Sequence, residues 1–282
     1  MTKTRKKHRI LRLFIVTILL LAVLLVSIYD SNTRIETEYF ELYYDNLPVS
    51  FDGFRIAHLS DMHANIFGKD SDRLYSAVEK AKPHIIVITG DLIGHDGDVD
   101  IVVPQLKRLL EISPVYFITG NHEWATRDVY RLFDMMSDIG VTALRNQYTR
   151  LTVGTEYIIL AGVDDENGPA DMKKPHELME EIRASEGDAY MLLLAHRPYR
   201  FSQYANLGFN TVLSGHHHGG LIRLPFIGGL LSPGGDFFPE YTEGVYSEGG
   251  SDMLVSRGLS GVNGFPRIFN PLHIPVLILR KK

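Results

Sequence analysis

Apolar residues are arranged in two ways along this chain: one long run near the amino terminus, then many short runs separated by polar segments. The long run, Leu13–Ile28, is broken only by Thr17 and Ser27, and the apolar positions 10, 11 and 29 extend it. Its length meets the roughly 17–25 residues that a helix needs to cross a bilayer. The pattern therefore predicts one N-terminal transmembrane helix at residues 10–29.

The short runs that follow predict strands and helices in alternation. Short continuous apolar runs are typical of buried strands, and apolar positions three or four residues apart are typical of helices packed on one face. The predicted strands are Ile35–Tyr44, Phe54–Leu59, Ile85–Thr89, Val115–Thr119, Met191–Leu194, Thr211–Leu213, Met253–Ser256 and Pro275–Leu279, with a hairpin at Thr149–Val153 and Tyr157–Val163. The predicted helices are Ser71–Ala81, Val99–Ile112, Thr126–Ile139 and Pro175–Ala184. This order predicts βαβ units in an α/β fold.

The charges that flank the long apolar run predict its orientation. Six basic residues precede it, and Asp30, Glu36 and Glu38 follow it. Because basic flanks stay in the cytoplasm, the rest of the chain is predicted to lie outside the cell membrane, which the chain crosses once. The predicted organisation is a basic cytoplasmic tail at 1–9, a signal anchor at 10–29, a short linker at 30–34 and one folded domain at 35–282.

Two other interpretations of the long run stay open. A cleaved signal peptide would have a shorter apolar core, about 7–15 residues, and a site with small residues after it. The segment Val26–Asp30 offers no good cleavage site. The run could also be a buried core helix, although the six basic residues before it favour an anchor.

Composition excludes some partners and some kinds of site. Without the six N-terminal basic residues, 23 Lys and Arg stand against 34 Asp and Glu, a formal charge of −11. An acidic domain repels polyanions, so no nucleic-acid partner is predicted. The chain has no cysteine, which excludes disulfides and thiolate metal sites.

Five separated fragments carry the residue types that bind metal ions. Most of them follow a predicted strand, so they would gather at one rim of a sheet, where open α/β sheets bind ligands. Asp61 and His63 are two residues apart, as are His216 and His218, so in an extended chain each pair points to one face. The fragments are Asp61-Met62-His63, Gly90-Asp91, Gly120-Asn121-His122-Glu123, Ala195-His196 and Gly215-His216-His217-His218-Gly219.

A single histidine is more often a surface or hydrogen-bonded residue than a metal ligand. We therefore predict that His58 and His84, which lie outside the five fragments, are structural. Independent structural histidines have no reason to follow successive strand ends with Gly, Asp or Asn beside them. The set as a whole thus favours a site for two metal ions in a hydrolase.

The five fragments resemble, in order and spacing, the signature of the calcineurin-like metallophosphoesterases. The resemblance covers about Phe54 to the end and implies a β-sandwich flanked by helices, an αββα arrangement. It implies one ion at Asp61, His63, Asp91 and His218, and a second ion at Asp91, Asn121, His196 and His216. It also implies that His122 is the catalytic histidine, beside the second ion, and acts as general acid toward the leaving group.

Hard oxygen ligands mixed with imidazoles suit Mn²⁺, Fe or Zn²⁺, and the resemblance makes Mn²⁺ the first choice. The segments Val255–Leu259 and Pro266–Arg267 resemble the membrane-attached bacterial branch of the family, which includes enzymes that act on phospholipid-like or nucleotide-sugar-lipid substrates. The predicted function is hydrolysis of phosphoester or pyrophosphate bonds in a phosphorylated small molecule or a lipid-linked substrate.

The predicted substrate residues are the least specific part of this interpretation. The apolar loop Leu221–Tyr241 follows the last ligands, and its Phe237 and Phe238 could contact an acyl chain or the membrane, or could simply cover the edge of the sheet. Four arginines could bind phosphate or could be structural: Arg197, Arg223, Arg257 and Arg267. A broad phosphomonoesterase or protein phosphatase is the enzymatic alternative. A non-catalytic docking protein on the same fold is the other alternative, and the presence of all seven expected ligands disfavours it.

Overall fold

The computed structural model describes residues 3–94, 99–126, 128–261 and 265–282, with side chains from residue 5 onward. Residues 1 and 2 of the predicted basic tail lie outside this part of the chain. Helix α1, Lys3–Thr33, is continuous, so residues 30–33 of the predicted linker are helical. Among the described helices, α1 is the one that is long and apolar enough to cross a membrane, with a candidate span at Arg5–Thr33.

The remaining elements alternate for most of the chain. Helices α2 to α7 are Asp72–Ala81, Val99–Leu110, Asn121–Ala125, Val129–Ile139, Pro175–Glu186 and Phe201–Leu207. Strands β1 to β7 are Ile35–Tyr44, Arg55–Leu59, Ile85–Thr89, Val115–Ile118, Thr142–Ala143, Gln147–Val153 and Glu156–Gly162. Strands β8 to β14 are Met191–Leu194, Thr211–Ser214, Ile222–Leu224, Gly228–Leu231, Gly244–Glu248, Ser251–Val255 and Leu272–Lys281.

The strands form two large sheets that pack against each other. In the described residues, one six-stranded sheet has the order β1-β14-β2-β3-β4-β5 and the other has the order β12-β13-β9-β8-β7-β6. Alternate residues of the first sheet, such as Ile56 and Val87, lie in one buried cluster with Leu160 and Leu213 of the second. Their neighbours Ala57 and Ile86 face the opposite way, toward helices.

Helices cover the outer face of each sheet. Buried residues of α2, α3 and α5, including Leu74 and Leu106, pack on the first sheet. Buried residues of α6 and α7, including Ile182 and Phe201, pack on the second sheet. The result is the predicted αββα fold, preceded by one long apolar helix.

Strand direction decides where the polar fragments meet. Strands β2, β3 and β4 are parallel neighbours, and so are β7, β8 and β9, so several strands end at one rim. Strand β14 is antiparallel to β2 and parallel to β1. Consequently β1 starts at the rim where β2, β3 and β4 end, and α1 leads directly to that rim.

The long predicted elements are present with end shifts of a few residues, and short ones were missed. Helices α4 and α7 and strands β5 and β12 were not predicted, and the apolar loop contains the hairpin of β10 and β11. Elements of two to seven residues carry too few apolar positions to show a period. The predicted helix Thr126–Ile139 begins at Val129 instead.

Candidate metal centre

The predicted ligands come from the loops that leave five strands at the common rim. Asp61 follows β2 and Asp91 follows β3, as predicted. Asn121 starts α4 just after β4, His196 follows β8, and His216 and His218 follow β9.

One group of four side chains converges at this rim. The ligand atoms of Asp61, His63, Asp91 and His218 all lie within 4.8 Å of one another. The Nε2 atoms of His63 and His218 are 3.3 Å apart, and His218 Nε2 is 3.3 Å from Asp61 Oδ1. These are the four residues that the family resemblance assigned to one ion.

A second group shares Asp91 with the first. Ligand atoms of Asp91, His196 and His216 also lie within 4.8 Å of one another. His196 Nε2 is 3.3 Å from Asp91 Oδ2 and 3.1 Å from His216 Nδ1. Asn121 Oδ1 is buried and has no hydrogen-bond partner among the described residues. A buried amide oxygen without a partner is costly, and a cation is a partner that would satisfy it.

Hydrogen bonds to main-chain carbonyls set the direction of two ligand rings. His196 Nδ1 donates to Thr89 O at 2.7 Å, and His218 Nδ1 donates to Ser260 O at 3.0 Å. In the neutral form of each ring, Nε2 is therefore the unprotonated atom and faces the site, as in metal-bound histidines. Lone pairs that face one another across about 3 Å repel unless a proton or a cation lies near them.

Burial also favours the neutral imidazoles that bind metal ions. It lowers the pKa of His63 to about 3 and that of His216 to about 2, and it lowers the pKa of His218. His196 differs: burial acts to lower its pKa, but the adjacent Asp91 carboxylate outweighs burial and raises it. A cation bound beside Asp91 would take the place of that proton.

The ligand loops adopt backbone conformations that their side chains disfavour. The φ angles are positive at Asp61 (52°), His63 (46°), Asp91 (50°), His216 (72°) and His218 (48°). The expectation that Asp61 and His63 converge along an extended chain is therefore wrong, and so is that for His216 and His218. They converge through left-handed turns, which cost about 1–3 kcal/mol each and are concentrated at functional sites.

Two glycines allow the loops after β3 and β4 to touch. A Cβ atom at Gly90 would lie 2.4 Å from Gly120 N, and one at Gly120 would lie 2.3 Å from Asp91 Oδ1. No side chain fits at either position without moving the backbone. This contact brings together the two loops that carry Asp91 and Asn121.

Glu123 is a supporting residue for which the sequence interpretation gave no role. It is fully buried and accepts from the main-chain N–H groups of Gly120 at 2.6 Å and Asp91 at 2.9 Å. Its other oxygen accepts from Leu92 at 2.8 Å and Ile93 at 3.1 Å. Burial and the nearby Asp91 raise the pKa of Glu123. Its position three residues after Gly120, at the start of a helix, is the sequence signal that could have revealed this clamp.

His122 is buried beside the shared carboxylate. Its main-chain N donates to Asp91 Oδ1 at 2.9 Å, and its Nε2 lies 4.0 Å from Asp91 Oδ2. Its ring packs edge to face against His63 with centroids 4.3 Å apart. This contact puts the ring next to His63 of the first group, and the place beside the second ion that the resemblance implied stays a prediction.

The four predicted arginines have different environments. Arg197 makes two hydrogen bonds to Asp165, at 2.6 and 3.0 Å, and borders a cavity of about 350 Å³ that also touches His196. Arg223 and Arg257 both pair with Glu243. Arg267 is fully buried, and it donates to the carbonyl oxygens of Ser260 and Asn270. Of the two interpretations, the structural one describes Arg267, because its donors are engaged inside the protein.

The apolar loop is exposed at its tips. Phe237 and Phe238 are 71% and 61% exposed, and Phe226 and Ile227, at the turn between β10 and β11, are also exposed. Of the two interpretations, covering the sheet edge does not describe these four side chains. A bridge from Ile222 to Ile268 joins the hairpin to the segment that contacts α1.

Three histidines that belong to neither group of ligand atoms make hydrogen bonds elsewhere in the protein. His58 Nε2 lies 2.8 Å from Thr89 Oγ1, and His84 Nδ1 accepts from Arg55 N at 2.9 Å. His217, between two predicted ligands, donates to Tyr241 O at 2.7 Å and turns away from both groups. These contacts agree with the structural roles predicted for His58 and His84.

Comparisons with known proteins agree with this geometry. A family model described as calcineurin-like phosphoesterase matches residues 54–220. The metallophosphoesterase YkuE of Bacillus subtilis is 31% identical over 229 residues, which cover 79% of this chain and 77% of that protein. The phosphodiesterase YaeI of Escherichia coli is 28% identical over 75% of this chain and 77% of that protein.

Two further similarities concern the membrane and the fold. A Danio rerio transmembrane protein with metallophosphoesterase domain is 30% identical over 86% of this chain, which spans only 56% of that protein. Among solved structures, the Haemophilus influenzae NAD nucleotidase aligns with a TM-score of 0.52 at 16% identity, over 73% of this chain and 45% of that one. At that identity the similarity shows a shared fold alone.

Proposed function

This chain belongs to the calcineurin-like phosphoesterase family of metal-dependent phosphoester hydrolases, and we propose that it is a membrane-anchored member with two divalent cations at one site. The observation that carries the proposal is Asp91, whose carboxylate belongs to both groups of ligand atoms. A carboxylate has two oxygens and a negative charge, so it can serve two cations. The buried Asn121 Oδ1 supports a cation in the second group. Mn²⁺ is our first choice, with Fe or Zn²⁺ as alternatives.

The residues at the rim have different proposed roles: metal binding, proton donation and support of the loops. Bound divalent cations supply a lowered pKa for a water molecule and positive charge for the phosphoryl oxygens. Asp61, His63 and His218 would hold one cation with Asp91, and Asn121, His196 and His216 would hold the other with Asp91. His122 provides the proton that a leaving alkoxide needs, since it is close to Asp91 but belongs to neither group of ligand atoms. Glu123 fixes both loops and keeps Asp91 in place.

The substrate class that fits best is a phosphoester or pyrophosphate with a lipid part. The anchor helix ends at the rim that carries the site, because β1 begins at that rim and only Arg34 separates it from α1. The exposed Phe226, Ile227, Phe237 and Phe238 lie on the loop after the last ligands. Exposed apolar patches of this kind mark contacts with membranes or apolar ligands. A soluble phosphomonoester is the alternative, and the cavity beside His196 would be its site. Of the basic residues that line this cavity, Arg197 and Arg200 pair with Asp165 and Glu166.

Metal analysis joined to a hydrolysis screen tests this function. Purified full-length protein would be assayed with added Mn²⁺ on phosphomonoesters, diesters, pyrophosphates and phospholipids. Chelation should abolish hydrolysis. Asp91→Asn should bind less metal, and its hydrolysis rate should fall by more than about 100-fold. This loss is larger than the roughly 10–100-fold loss of activity typical of residues that only support a ligand. His217→Asn, whose ring turns away from the site, is the matched control and should retain the metal. Full activity in metal-free protein would refute the proposal.

A further inference from the structure

The last turns of α1 bury polar side chains, which is unusual for an anchor helix. Ser27 and Ser31, one turn apart, are only 7% and 1% exposed, whereas most of the apolar run is exposed. Hydroxyls in apolar helices commonly bond their own helix four residues back. Thr17 and Thr33 do so, through Leu13 O and Tyr29 O. Ser27 and Ser31 instead accept hydrogen bonds from the folded domain.

Three side chains of α1 hold the short segment 267–270. Phe269 N donates to Ser27 Oγ at 2.7 Å, and Asn270 N donates to Ser31 Oγ at 2.9 Å. Asn32 makes a reciprocal pair with the main chain of Arg267: its Nδ2 donates to Arg267 O at 3.0 Å, and its Oδ1 accepts from Arg267 N at 3.2 Å. The helix thus fixes four main-chain groups of this segment.

The same segment fixes His218. Asn270 is fully buried, and its Nδ2 donates to His218 O at 2.8 Å. Arg267 sets the direction of that amide by donating to Asn270 Oδ1 at 2.9 Å. It also donates, at 2.8 Å, to Ser260 O, the carbonyl that accepts from His218 Nδ1. The main chain and the ring of His218 therefore both depend on residues that α1 holds.

His218 needs such support because its backbone conformation is disfavoured. Its φ angle of 48° lies in the left-handed region, and Gly219 after it has φ of 68°. A Cβ atom at Gly219 would lie 2.7 Å from Asn270 Oδ1, so the loop is pressed against Asn270. Without that contact, the loop would be expected to relax toward conformations that direct His218 elsewhere.

We infer that the end of the anchor helix is a positioning part of the metal centre: Ser27, Ser31 and Asn32 order segment 267–270, which orients His218 through Asn270 and Arg267. The inference rests on the proposed function, since His218 matters in this way only if it binds metal. It means that the anchor does more than hold the domain at a membrane. Residues that orient a ligand typically change metal affinity by about 10–100-fold.

Metal titration of the full-length protein in detergent micelles tests the inference. The double variant Ser31→Ala/Asn32→Ala removes three of the four contacts with the segment. Asn270→Asp keeps the shape of the side chain but removes the donor to His218 O. Thr33→Ala is the matched control, because its hydroxyl bonds only within α1 among the contacts described. Chelated samples would be titrated with Mn²⁺, and melting temperature would be measured with and without chelator.

The expected result is a weaker apparent Kd for Mn²⁺, by about 10–100-fold in Asn270→Asp and by about 3–10-fold in the double variant, with hydrolysis restored by excess Mn²⁺. Thr33→Ala should match the wild type. A double variant that melts earlier under chelation but binds Mn²⁺ as tightly as the control would overturn the inference, because the contacts would then be structural only. Should the double variant fail to fold, Ser31→Ala alone, which removes one of the four contacts, would be compared with Thr33→Ala by the same titration. A wild-type protein that binds no Mn²⁺, Fe or Zn²⁺ would refute the proposed function as well.

Discussion

At the scale of single residues, His122 differs from the histidines around it because it contacts Asp91 without belonging to either group of ligand atoms. Its main chain is held by Asp91 Oδ1, and its ring rests against His63. In the proposed function, a side chain so placed moves a proton to the leaving group without displacing the proposed ligands. General acid catalysis by His122 would matter for substrates whose leaving group needs a proton and would matter less for the others.

We expect His122→Asn to retain the metal and to slow hydrolysis of alkyl phosphoesters by about 10²–10⁴-fold, the usual contribution of general acid catalysis. A nitrophenolate leaves without a proton, so aryl esters should lose much less. Rates on matched alkyl and aryl esters, with metal content measured on the same samples, check this prediction. Equal losses on both esters would indicate that His122 binds or positions the phosphate instead.

His273 is a buried histidine that affects stability rather than chemistry. Its Nδ1 accepts from Arg257 N at 3.3 Å, and its Nε2 faces Glu38 Oε2 at 3.4 Å. Burial lowers its pKa from 6.5 to about 4. In the unfolded chain the same ring takes a proton near pH 6.5, so acid favours the unfolded state between the two values.

Unfolding measurements at two pH values check this effect. From about pH 7 to about pH 5, His273 should remove about 2 kcal/mol from the free energy of unfolding, and His273→Gln should lack this contribution. Urea unfolding of the chelated protein in micelles, followed by the fluorescence of Trp124, provides the comparison. The same loss in wild type and variant would show that His273 takes up its proton equally in both states.

At the scale of elements, the hairpin of β10 and β11 and the loop after it place aromatic side chains in solvent beside the catalytic rim. Phe226 shares a surface groove with Phe269, whose main chain contacts Ser27 of α1. The hairpin tip is therefore near the level at which the anchor would enter the bilayer. Strand pairing holds it there, through Ile222 and Ile268.

Replacing Phe237 and Phe238 by Ser should impair turnover of an acylated phosphoester at least several-fold while leaving a small soluble ester almost unchanged. Both side chains are more than half exposed, so the change should not disturb the core. Val49→Ser is the matched control, since Val49 is 68% exposed and follows β1 at the opposite rim. Comparable activity of the wild type on acylated and soluble esters would instead favour a broad phosphatase.

At the scale of the whole molecule, chain direction joins the anchor to the site. Because β1 runs antiparallel to β2, the strand that follows α1 begins where the ligand loops emerge. An anchor at the other end of β1 would hold the site away from the membrane by the length of a strand. Ten residues of strand span about 33 Å.

We expect the amino terminus to lie in the cytoplasm and the domain to lie outside, because six basic residues precede the apolar run. Protease added to intact cells, or to spheroplasts if the cell has an outer membrane, should digest the domain. A cytoplasmic protein should stay intact in the same sample. Protection of the domain until the cells are opened would show the reverse orientation.

The sequence alone determined the features that depend on neighbouring residues. The length of one apolar run predicted α1. The spacing of apolar positions predicted the long strands and the longer helices, because spacing can be read from neighbouring residues alone. The places of Asp61, Asp91, Asn121 and the later histidines after predicted strands indicated that these side chains gather at one rim. Their division into two ligand groups came from the family resemblance.

Only the tertiary structure decided the features that depend on contacts between distant segments. It placed His122 beside His63, enclosed Arg267, exposed Phe237 and Phe238, and gave Glu123 four N–H partners. It also joined Ser31 to His218 through Asn270, which hydrogen-bonds to both. The physical reason is that burial, left-handed turns and hydrogen-bond partners are set by whichever chain segment packs opposite, and a local pattern does not contain that segment.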